Sequence, residues 1–475
     1  MNPPFTRSVG DNLLFGNLPE QERQAMQRKL QSVTSRQNLS ASITAGLGSV
    51  FIALADKYLK DGGRIALVLP RALLSGVAWQ KTRDLFNANY HLEWVMVSHE
   101  PDHWNFSENT DLSEVLMVAR KRKSSDKKPS ERVNCVNLWK QPRNSVEALT
   151  VARQLTENNP PDALKGQGAL DLFHGEEKIG EAVGVPWASL RKSLWNFPCA
   201  FAQSDLVRSL FYLLERKLYL PGVGIVTKAK LKLCPLNEIA EFGYDRRDIH
   251  DGFKLATYKT AYPAFWDHDS SRVFTLKKAP NSFLSPLPEA TPGRPLREAV
   301  HLWKKAGCLL IVERLRLNTM RLTALLVGQK VLSNVWWTLV LKRGGAEAEK
   351  ALALWLNSSL GILLLLGHRE ETQGAWIGFK KPVLGQMPVL DVLGIGARAT
   401  TKLAQVFDGL ADRALLPFPH MAEDPVRAAI DESVASALGL PDFSVLRQLL
   451  AGEPILCLSL ERLKLPEDQQ TFLRP

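Results

Sequence analysis

The chain opens with four residues whose types together could do chemistry: Asn2, Pro3, Pro4 and Phe5. An asparagine side chain offers a carbonyl oxygen as a hydrogen-bond acceptor and an amide as a donor. The two prolines lack amide hydrogens and have a restricted φ, so the carbonyls beside them are held by a stiff backbone. Phe5 adds a flat apolar face for stacking. We refer to Asn2–Phe5 as the tetrapeptide.

The elements that would position the tetrapeptide are predicted from the patterning of residues 41–120. SITAGLGSVFIALADKYLKDGG places apolar residues, among them Phe51 and Tyr58, at helical spacing and ends at a Gly-Gly pair. RIALVLP (Arg64–Pro70) is a continuous apolar run, typical of a strand covered on both faces in a parallel sheet. A helix, GVAWQKTRDLFNAN, and two strands, LEWVMVSH and SEVLMVARK, follow. This order predicts half of a doubly wound α/β domain in which Arg64–Pro70 is central.

The residues that carry a family resemblance are the tetrapeptide, then GGRIALVLPRALLSGVAWQKTRDLF and NTDLSEVLMVARK. Together they resemble the motifs of N6-adenine DNA methyltransferases of restriction-modification and phage-defence type. The resemblance implies that Asn2 and the carbonyl of Pro3 accept the amine hydrogens of a flipped-out adenine. It also implies that Pro3 and Pro4 stiffen the backbone and that Phe5 stacks on the base. Double-stranded DNA is then the substrate, and S-adenosyl-L-methionine the methyl donor.

The methyl-donor site is the part of the family pattern that this sequence departs from. In the family it is built mainly by a glycine-bearing loop and acidic residues before the tetrapeptide. The G-x-G triplets of this chain, such as those starting at Gly46 and Gly222, do not lie between a buried strand and a helix. We therefore expect an N-terminally truncated methyltransferase, produced by an internal start, a split gene or a degraded one.

Two hypotheses about activity follow from that departure. In the first, the chain is an adenine-specific DNA methyltransferase that is incomplete without an upstream fragment, with that fragment or other defence-system subunits as partners. In the second, it is a non-catalytic DNA-binding specificity or interaction protein of a restriction-modification or phage-defence system. Neither hypothesis identifies cofactor-binding residues in the chain.

The charge of the chain favours a polyanionic partner. Lys plus Arg number 60 against 49 Asp plus Glu, which gives a formal net charge of +11. After residue 194, short apolar strands alternate with basic pairs and resemble target-recognition domains, in which such pairs contact phosphates or guanine. Each pair alone is more often a solvated surface. The candidate DNA-binding residues are Arg246, Arg247, Arg314, Arg316, Lys342, Arg343, Lys380 and Lys381, with Lys228 and Lys230 as a further pair.

These observations predict an α/β protein of four parts. Residues 1–145 form the C-terminal half of a Rossmann-like methyltransferase domain, and residues 146–193 form a linker. A mixed α/β target-recognition-like domain that binds DNA occupies residues 194–400. Residues 401–475 form a helical C-terminal region, in which DPVRAAIDESVASALGL is a capped amphipathic helix.

Other site chemistries are weaker interpretations of this sequence. Asp162 with Glu176 and Lys178 formally matches the PD…ExK pattern of metal-dependent nucleases, but its polar, glycine-rich surroundings argue against the buried sheet that such sites need. His99 and His103 fall in a predicted loop rather than on one helix face, so no metal site is expected. The five cysteines form no CxxC pair, which favours a reducing cytoplasm. No export signal or membrane span is predicted.

Overall fold

The computed structural model describes residues 1–6, 13–107, 112–123, 125–126, 132–165, 168–192, 195–227, 231–266, 272–373 and 376–456. These residues divide into two compact units. The first comprises Met1–Arg208 with Glu370–Gly374, and the second comprises Ser209–Arg369 with Ala375–Pro475. Helices and strands occur in both units, which confirms the predicted mixture of α and β structure.

The first unit is built on a six-stranded sheet and several helices. The strands are β1 (Arg64–Pro70), β2 (Tyr90–Ser98), β3 (Glu114–Lys121), β4 (Arg132–Leu138), β5 (Leu170–His174) and β6 (Glu177–Pro186). The helices are α1 (Glu20–Arg36), α2 (Leu47–Tyr58), α3 (Gln80–Asn89), α4 (Ser145–Glu157) and α5 (Trp187–Lys192). Helix α6 (Ser204–Leu214) begins in the first unit and ends in the second. Short 3₁₀ turns lie at Ile43–Ala45, Arg71–Leu74, Val77–Trp79 and Phe197–Cys199.

The sheet of the first unit has the strand order β1-β3-β2-β4-β6-β5. Only β2 and β4 pair in parallel; the other neighbouring strands are antiparallel. The central position predicted for Arg64–Pro70 is therefore wrong, because β1 is an end strand of this sheet. Its burial alternates, with Ile65, Leu67 and Leu69 buried and Ala66 exposed. An apolar run does not distinguish a strand covered on one face from a strand covered on both.

Met1 pairs with the outer edge of β1. Its terminal amine donates to the carbonyl oxygen of Ala66 at 2.6 Å, and its carbonyl oxygen accepts from the amide of Val68 at 3.1 Å. One residue bonded to the two residues that flank Leu67 is the pattern of a parallel bridge. The chain therefore leaves Met1 in the same direction as β1, toward the carboxyl end of that strand at Pro70.

The helix α2 buries a different face from the predicted one. Ile52 and Ala53 point into the unit, whereas Phe51 is 42% exposed and Tyr58 is 77% exposed. Beyond the helix, Gly62 has a φ of +78°, which a glycine adopts without the strain that a side chain would add. The helix and its glycine stop are confirmed, and the apolar stripe that predicted them is partly open to solvent.

Residues 146–193, predicted to be a linker, instead complete the first sheet. They contain α4, whose N-cap Asn144 accepts hydrogen bonds from two backbone amides, and the strands β5 and β6. The sequence did not predict β6 as a strand, because the strand contains glycines and glycine is unusual within strands. Gly180 lies so close to β4 that an added Cβ would come within 2.6 Å of the carbonyl oxygen of Asn137.

The second unit has a larger mixed sheet and several short ribbons. Its strands are β7 (Leu218–Leu220), β8 (Gly224–Val226), β9 (Leu233–Pro235), β10 (Ala240–Phe242), β11 (Phe253–Ala256), β12 (Tyr262–Phe265), β13 (Lys277–Lys278), β14 (Ser282–Pro286), β15 (Gly307–Val312), β16 (Arg314–Arg316), β17 (Ala324–Ser333), β18 (Trp336–Leu341), β20 (Trp376–Gly378) and β21 (Pro388–Leu390). The strand β19 (Glu370–Gln373) precedes β20 in sequence and falls in the first unit. The main sheet has the order β10-β18-β15-β17-β12-β14-β11, with β13 also parallel to β17.

Helices surround this second sheet and form the end of the described chain. They are α7 (Leu236–Ile239), α8 (Arg246–His250), α9 (Ala299–Trp303), α10 (Gly345–Asn357), α11 (Ser359–Gly367), α12 (Lys381–Gln386), α13 (Ala397–Leu410), α14 (Pro425–Leu438) and α15 (Ser444–Ala451), with a 3₁₀ turn at Phe418–His420. The predicted capped helix is α14: Asp424 accepts from two backbone amides at its start, and Gly439 ends it with a φ of +64°. Residues 457–475 lie outside the described chain.

The most apolar segment of the chain forms the buried pair α10 and α11. Ser358 separates them and caps α11, while the side-chain amide of Asn357 donates to the carbonyl oxygens of Ala324 and Ala353. Within the described residues no single helix is long and apolar enough to cross a membrane. Together the two helices reach that length, but they meet with a bend of 72°.

Candidate nucleic-acid interface

The tetrapeptide lies on the surface of the first unit, and the side chain of Asn2 anchors it. The amide nitrogen Nδ2 of Asn2 donates to Oγ of Ser107 at 3.0 Å. Asn2 and Pro4 are exposed, Pro3 is buried and Phe5 is half-buried. Because Nδ2 of Asn2 donates to Ser107, the oxygen Oδ1 of the same amide group is the atom that can accept a hydrogen bond from a ligand.

A buried carboxylate fixes the loop that carries this anchor. The backbone amides of Phe106 and Ser107 donate to Oε2 of Glu114, at 2.6 and 2.8 Å. Glu114 is fully buried at the start of β3 and lies opposite Pro70 of β1 in the sheet. Sequence reasoning missed this residue; an acid at the start of an apolar strand was its only signal.

A second support holds the loop that follows β1. The guanidinium of Arg83 donates from Nη1 to the carbonyl oxygens of Leu73 and Gly76, at 2.7 and 2.8 Å. Arg71 donates from Nη2 to the carbonyl oxygen of Cys199 at 2.6 Å. Burial lowers the pKa of Arg83 from its ordinary value. These bonds fix the backbone just beyond the carboxyl end of β1.

The first unit also has a cavity of about 570 Å³ beside α1. Its lining is polar and contains Arg28 and Lys81 but no carboxylate; the full set is Gln24, Gln27, Arg28, Gln31, Thr34, Ser35, Leu39, Ala41, Ser42, Ile43, Thr44 and Lys81. Sites for adenosine cofactors usually place an acidic side chain on the ribose hydroxyls. The residues of this cavity therefore do not fit S-adenosylmethionine.

In the second unit a cleft of about 740 Å³ gathers basic side chains from separate elements. Arg246 and Arg247 come from α8, Arg314 comes from β16, and Lys380 and Lys381 lie at the start of α12. We define the basic cleft by its lining residues: Asp245, Arg246, Arg247, His250, Arg294, Glu313, Arg314, Asn334, Val335, Trp337, Lys380, Lys381 and Pro382.

The basic cleft contains five of the eight predicted DNA-binding residues. The other three do not line it. Lys342 donates from Nζ to the carbonyl oxygen of Asn237 at 2.8 Å, Arg343 is exposed after β18, and Arg316 lies farther along β16. The predicted pair Lys228 and Lys230 lies outside the described residues.

The cationic side chains of the cleft differ in whether a carboxylate of the protein neutralises them. Arg294 pairs with the carboxylate of Asp251 at 2.5 Å, and that hydrogen bond holds the pKa of Asp251 below its usual value. Arg247, Arg314 and Lys380 are exposed, and within the described chain they have no carboxylate partner within 4.0 Å. These three cations are therefore available to a bound anion.

Histidine and tryptophan side chains complete the walls of the cleft. Arg246 donates from Nε to Nε2 of His250 at 3.3 Å, and burial, followed by Arg246 and Arg294, lowers the pKa of His250. On the other wall, Nζ of Lys381 lies 4.4 Å from the ring centroid of Trp337. The aromatic ring shields the lysine stem, and burial lowers the pKa of Lys381.

Two oxygen acceptors, Glu313 and Asn334, lie among these cations. Burial raises the pKa of the Glu313 carboxyl, and the charges of Arg314 and Lys380 oppose that shift. The side-chain oxygen Oδ1 of Asn334 is buried and has no hydrogen-bond partner within the described residues. No sequence pattern pointed to either residue, because each follows the end of a strand and only the fold brings them together.

Lys178 and His99, two residues of the weaker interpretations, form local side-chain contacts. Lys178 forms ion pairs with Asp171 at 2.7 Å and Glu181 at 2.6 Å, rather than with Asp162. His99 is buried, and its Nε2 lies 3.1 Å from the side-chain oxygen of an asparagine in β4. Within the described residues no three His, Cys, Asp or Glu side chains are grouped so as to hold a metal ion.

No family model matches the sequence, and no curated protein matches it. Among solved structures, the chain is similar to the type IIG restriction endonuclease BpuSI, at 14% identity and a TM-score of 0.34, over 94% of this chain and 53% of that one. It is also similar to a modification subunit of a putative type I restriction enzyme from Vibrio vulnificus YJ016, at 21% identity and a TM-score of 0.16, over 30% of this chain and 25% of that one. A third similarity is to the HsdS subunit from Thermoanaerobacter tengcongensis, at 12% identity and a TM-score of 0.19, over 65% of this chain and 66% of that one.

The chain spans about half the length of the BpuSI enzyme. Two of these neighbours are named as a restriction endonuclease and as a modification subunit of a restriction enzyme. At such identities and TM-scores the likeness assigns no activity to the chain.

Proposed function

We propose that this chain is the catalytic and target-recognition part of a DNA adenine-N6 methyltransferase of restriction-modification or phage-defence type. The observation that carries the proposal is the parallel pairing of Met1 with the edge of β1. It supports a catalytic role for Asn2–Phe5, because ligands of α/β sheets bind beyond the carboxyl ends of parallel strands.

In the proposed reaction the chain binds and orients the base. An adenine inside a duplex is inaccessible, so the base must be flipped out of the stack. Oδ1 of Asn2 and the carbonyl oxygen of Pro3 accept the two amine hydrogens, which localises the nitrogen lone pair. Phe5 stacks on the ring, which contributes about 1 to 3 kcal/mol per base. The bond from Asn2 to Ser107 keeps the amide oxygen, rather than the nitrogen, turned to the base.

The basic cleft is the proposed site of duplex binding. Arg247, Arg314 and Lys380 neutralise phosphates, and the release of counterions from the DNA drives that binding. The backbone pairing at the cleft supports this role, since Arg314 belongs to β16 and pairs with Gly378 of β20.

S-adenosylmethionine supplies the methyl group when the complete enzyme is assembled. Following the family pattern, we assign its site to a companion part that precedes the tetrapeptide or acts as a separate chain. Two features of the first unit support such a companion: the exposed rings of Phe51 and Tyr58 on α2, and the outer edge of β1, which within the described chain bonds only to Met1.

The second hypothesis, a non-catalytic DNA-binding specificity protein, has an observation of its own. The basic cleft is built entirely from residues of the second unit, so duplex binding does not require the tetrapeptide. In that case methylation would be absent while DNA binding persisted.

One experiment separates the two hypotheses. The gene is expressed with its natural flanking DNA, and the N6-methyladenine content of the cellular DNA is measured by mass spectrometry. The methyltransferase proposal predicts N6-methyladenine at a defined sequence. Absence of the modified base, together with salt-dependent duplex binding by the purified chain, would favour the specificity protein.

A further inference from the structure

We infer that Glu313 and Asn334 determine sequence specificity in the basic cleft, by accepting hydrogen bonds from the exocyclic amine of an adenine or a cytosine in duplex DNA. This inference rests on the proposed DNA-binding function of the same cleft. It adds which bases the cleft selects and which side chains select them.

The position of Glu313 in the cleft is set by the backbone. The residue lies between β15 and β16, where its amide donates to the carbonyl oxygen of Val335 at 3.4 Å and its own carbonyl oxygen accepts from the amide of Phe379 at 2.9 Å. These bonds fix the Glu313 backbone against the β17–β18 connection and the end of β20. Its side chain therefore starts from a fixed point in the cleft.

The carboxylate of Glu313 is a negatively charged hydrogen-bond acceptor, which phosphate binding alone does not require. It lies in a cleft with six Arg and Lys side chains, yet within the described residues it forms no ion pair shorter than 4.0 Å with any of them. A carboxylate repels phosphate, so its presence weakens purely non-specific binding. A base amine, by contrast, is a donor that a carboxylate accepts well.

Asn334 provides the second acceptor from the neighbouring β17–β18 connection. Its oxygen is buried without a partner in the described chain, and leaving a buried acceptor unsatisfied costs free energy. A donor from a bound base would remove that cost. Asn334 lines the cleft, so a turn of its side chain toward the cleft would bring this unsatisfied oxygen to a bound base.

The two acceptors together define the class of base. In the major groove adenine and cytosine present amino donors at N6 and N4, whereas guanine and thymine present only acceptors and, for thymine, a methyl group. Guanine or thymine at the same position would place a base acceptor against the side-chain oxygens of Glu313 and Asn334, which are also acceptors. Arg247, Arg314 and Lys380 would meanwhile hold the phosphates and keep the register of the duplex.

The test compares discrimination with affinity. The preferred duplex of the wild-type chain is selected from a random-sequence library, and its dissociation constant is compared with those of duplexes changed one base pair at a time. Glu313→Met and Asn334→Leu remove the acceptors with little change in shape. Each should reduce discrimination at an adenine or cytosine position about tenfold, while affinity for a non-preferred duplex stays within about twofold.

A matched control and a folding measurement accompany the two variants. Glu349 is also a half-buried carboxyl whose pKa is raised by burial, but it does not line the cleft, so Glu349→Met should leave discrimination unchanged. Thermal unfolding shows whether each variant is folded. Asn334→Leu is expected to keep or gain stability, because an apolar replacement removes an unsatisfied acceptor.

The outcomes for the inference and for the proposed function are distinct. A wild-type chain that binds every duplex equally, or folded variants of Glu313 and Asn334 that keep the wild-type discrimination, would overturn the inference alone. A uniform loss of affinity across all duplexes would also overturn it. A wild-type chain that binds no duplex would defeat the proposed DNA-binding function, and this inference with it.

Discussion

The two candidate sites of this protein differ in how they are held. Asn2–Phe5 follows Met1, whose two main-chain bonds lie on the outer edge of β1, and the side chain of Asn2 bonds to Ser107. The basic cleft gathers residues from strand ends and helix starts of the second unit. The edge site should therefore be sensitive to the few groups that anchor it. The cleft should tolerate single changes in backbone support and respond mainly to its charges.

The largest effect is expected from reversing the charges of the cleft. The triple variant Arg247→Glu, Arg314→Glu and Lys380→Glu should bind duplex DNA at least about 100-fold more weakly at low salt, because three phosphate contacts and their released counterions are lost. The slope of log affinity against log salt should also become shallower. Fluorescence anisotropy with a labelled duplex measures both quantities.

A control variant keeps the change in net charge equal. Lys254→Glu, Lys259→Glu and Lys304→Glu alter exposed residues of the same unit that do not line the cleft. Their binding should stay within a few-fold of wild type. Equal losses in the two triple variants would mean that overall charge, and not the cleft, attracts DNA.

The next effect concerns the stability of the second unit and comes from a buried histidine. Burial lowers the pKa of His368 to about 4, and its Nδ1 lies 2.7 Å from the carbonyl oxygen of Leu364. The unfolded chain has the higher pKa, so it binds the proton first as pH falls. The free energy of unfolding of the second unit is therefore highest above about pH 6.5, where His368 is neutral in both states. It falls by about 3 kcal/mol as the pH is lowered toward 4.

Denaturant unfolding at pH 7 and pH 4.5 measures this loss. His368→Gln should flatten the pH dependence of the transition of the second unit, because the proton-linked group is removed. The exposed His301 is a suitable control, and His301→Gln should leave the pH dependence unchanged. An unaltered slope in His368→Gln would show that other groups cause the acid sensitivity.

A smaller effect is expected at the anchor of the tetrapeptide. Glu114→Gln keeps the shape of the side chain but removes the charge that accepts the amides of Phe106 and Ser107. The first unit should lose about 1 to 3 kcal/mol in unfolding free energy, and methylation by the assembled enzyme should fall with it.

A surface carboxylate provides the comparison for this variant. Glu93 pairs with Arg64 at 2.9 Å near solvent, so Glu93→Gln should cost less than about 1 kcal/mol. Urea unfolding followed by tryptophan fluorescence measures both variants. If Glu93→Gln were the more destabilising of the two, the loop at Ser107 would not depend on Glu114.

The sequence predicted local features of this fold better than long-range ones. The α14 helix could be predicted from Asp424 and Gly439, because a cap and a stop are set by neighbouring residues. The linker prediction for residues 146–193 failed because the pairing of β6 with β4 depends on residues distant in sequence. The edge position of β1 was missed for the same reason.

The candidate sites show the same division. The candidate DNA-binding residues could be predicted from their charge, and five of them line the basic cleft. Glu313 and Asn334 could not be predicted, because an acid beside an arginine and an asparagine in a turn are common in any surface segment. Their significance comes from the burial and the shared cleft that the fold creates.

The most direct test of the central claim is adenine methylation by an Asn2→Ala variant expressed with the natural flanking DNA of its gene. The proposed role of Asn2 predicts at least about a 100-fold loss of N6-methyladenine, since an acceptor that orients the amine is removed, with duplex binding by the basic cleft unchanged. Asn158→Ala, which changes an exposed asparagine after α4, should methylate as the wild type does. Full methylation by Asn2→Ala would contradict the account and leave the tetrapeptide without a catalytic role.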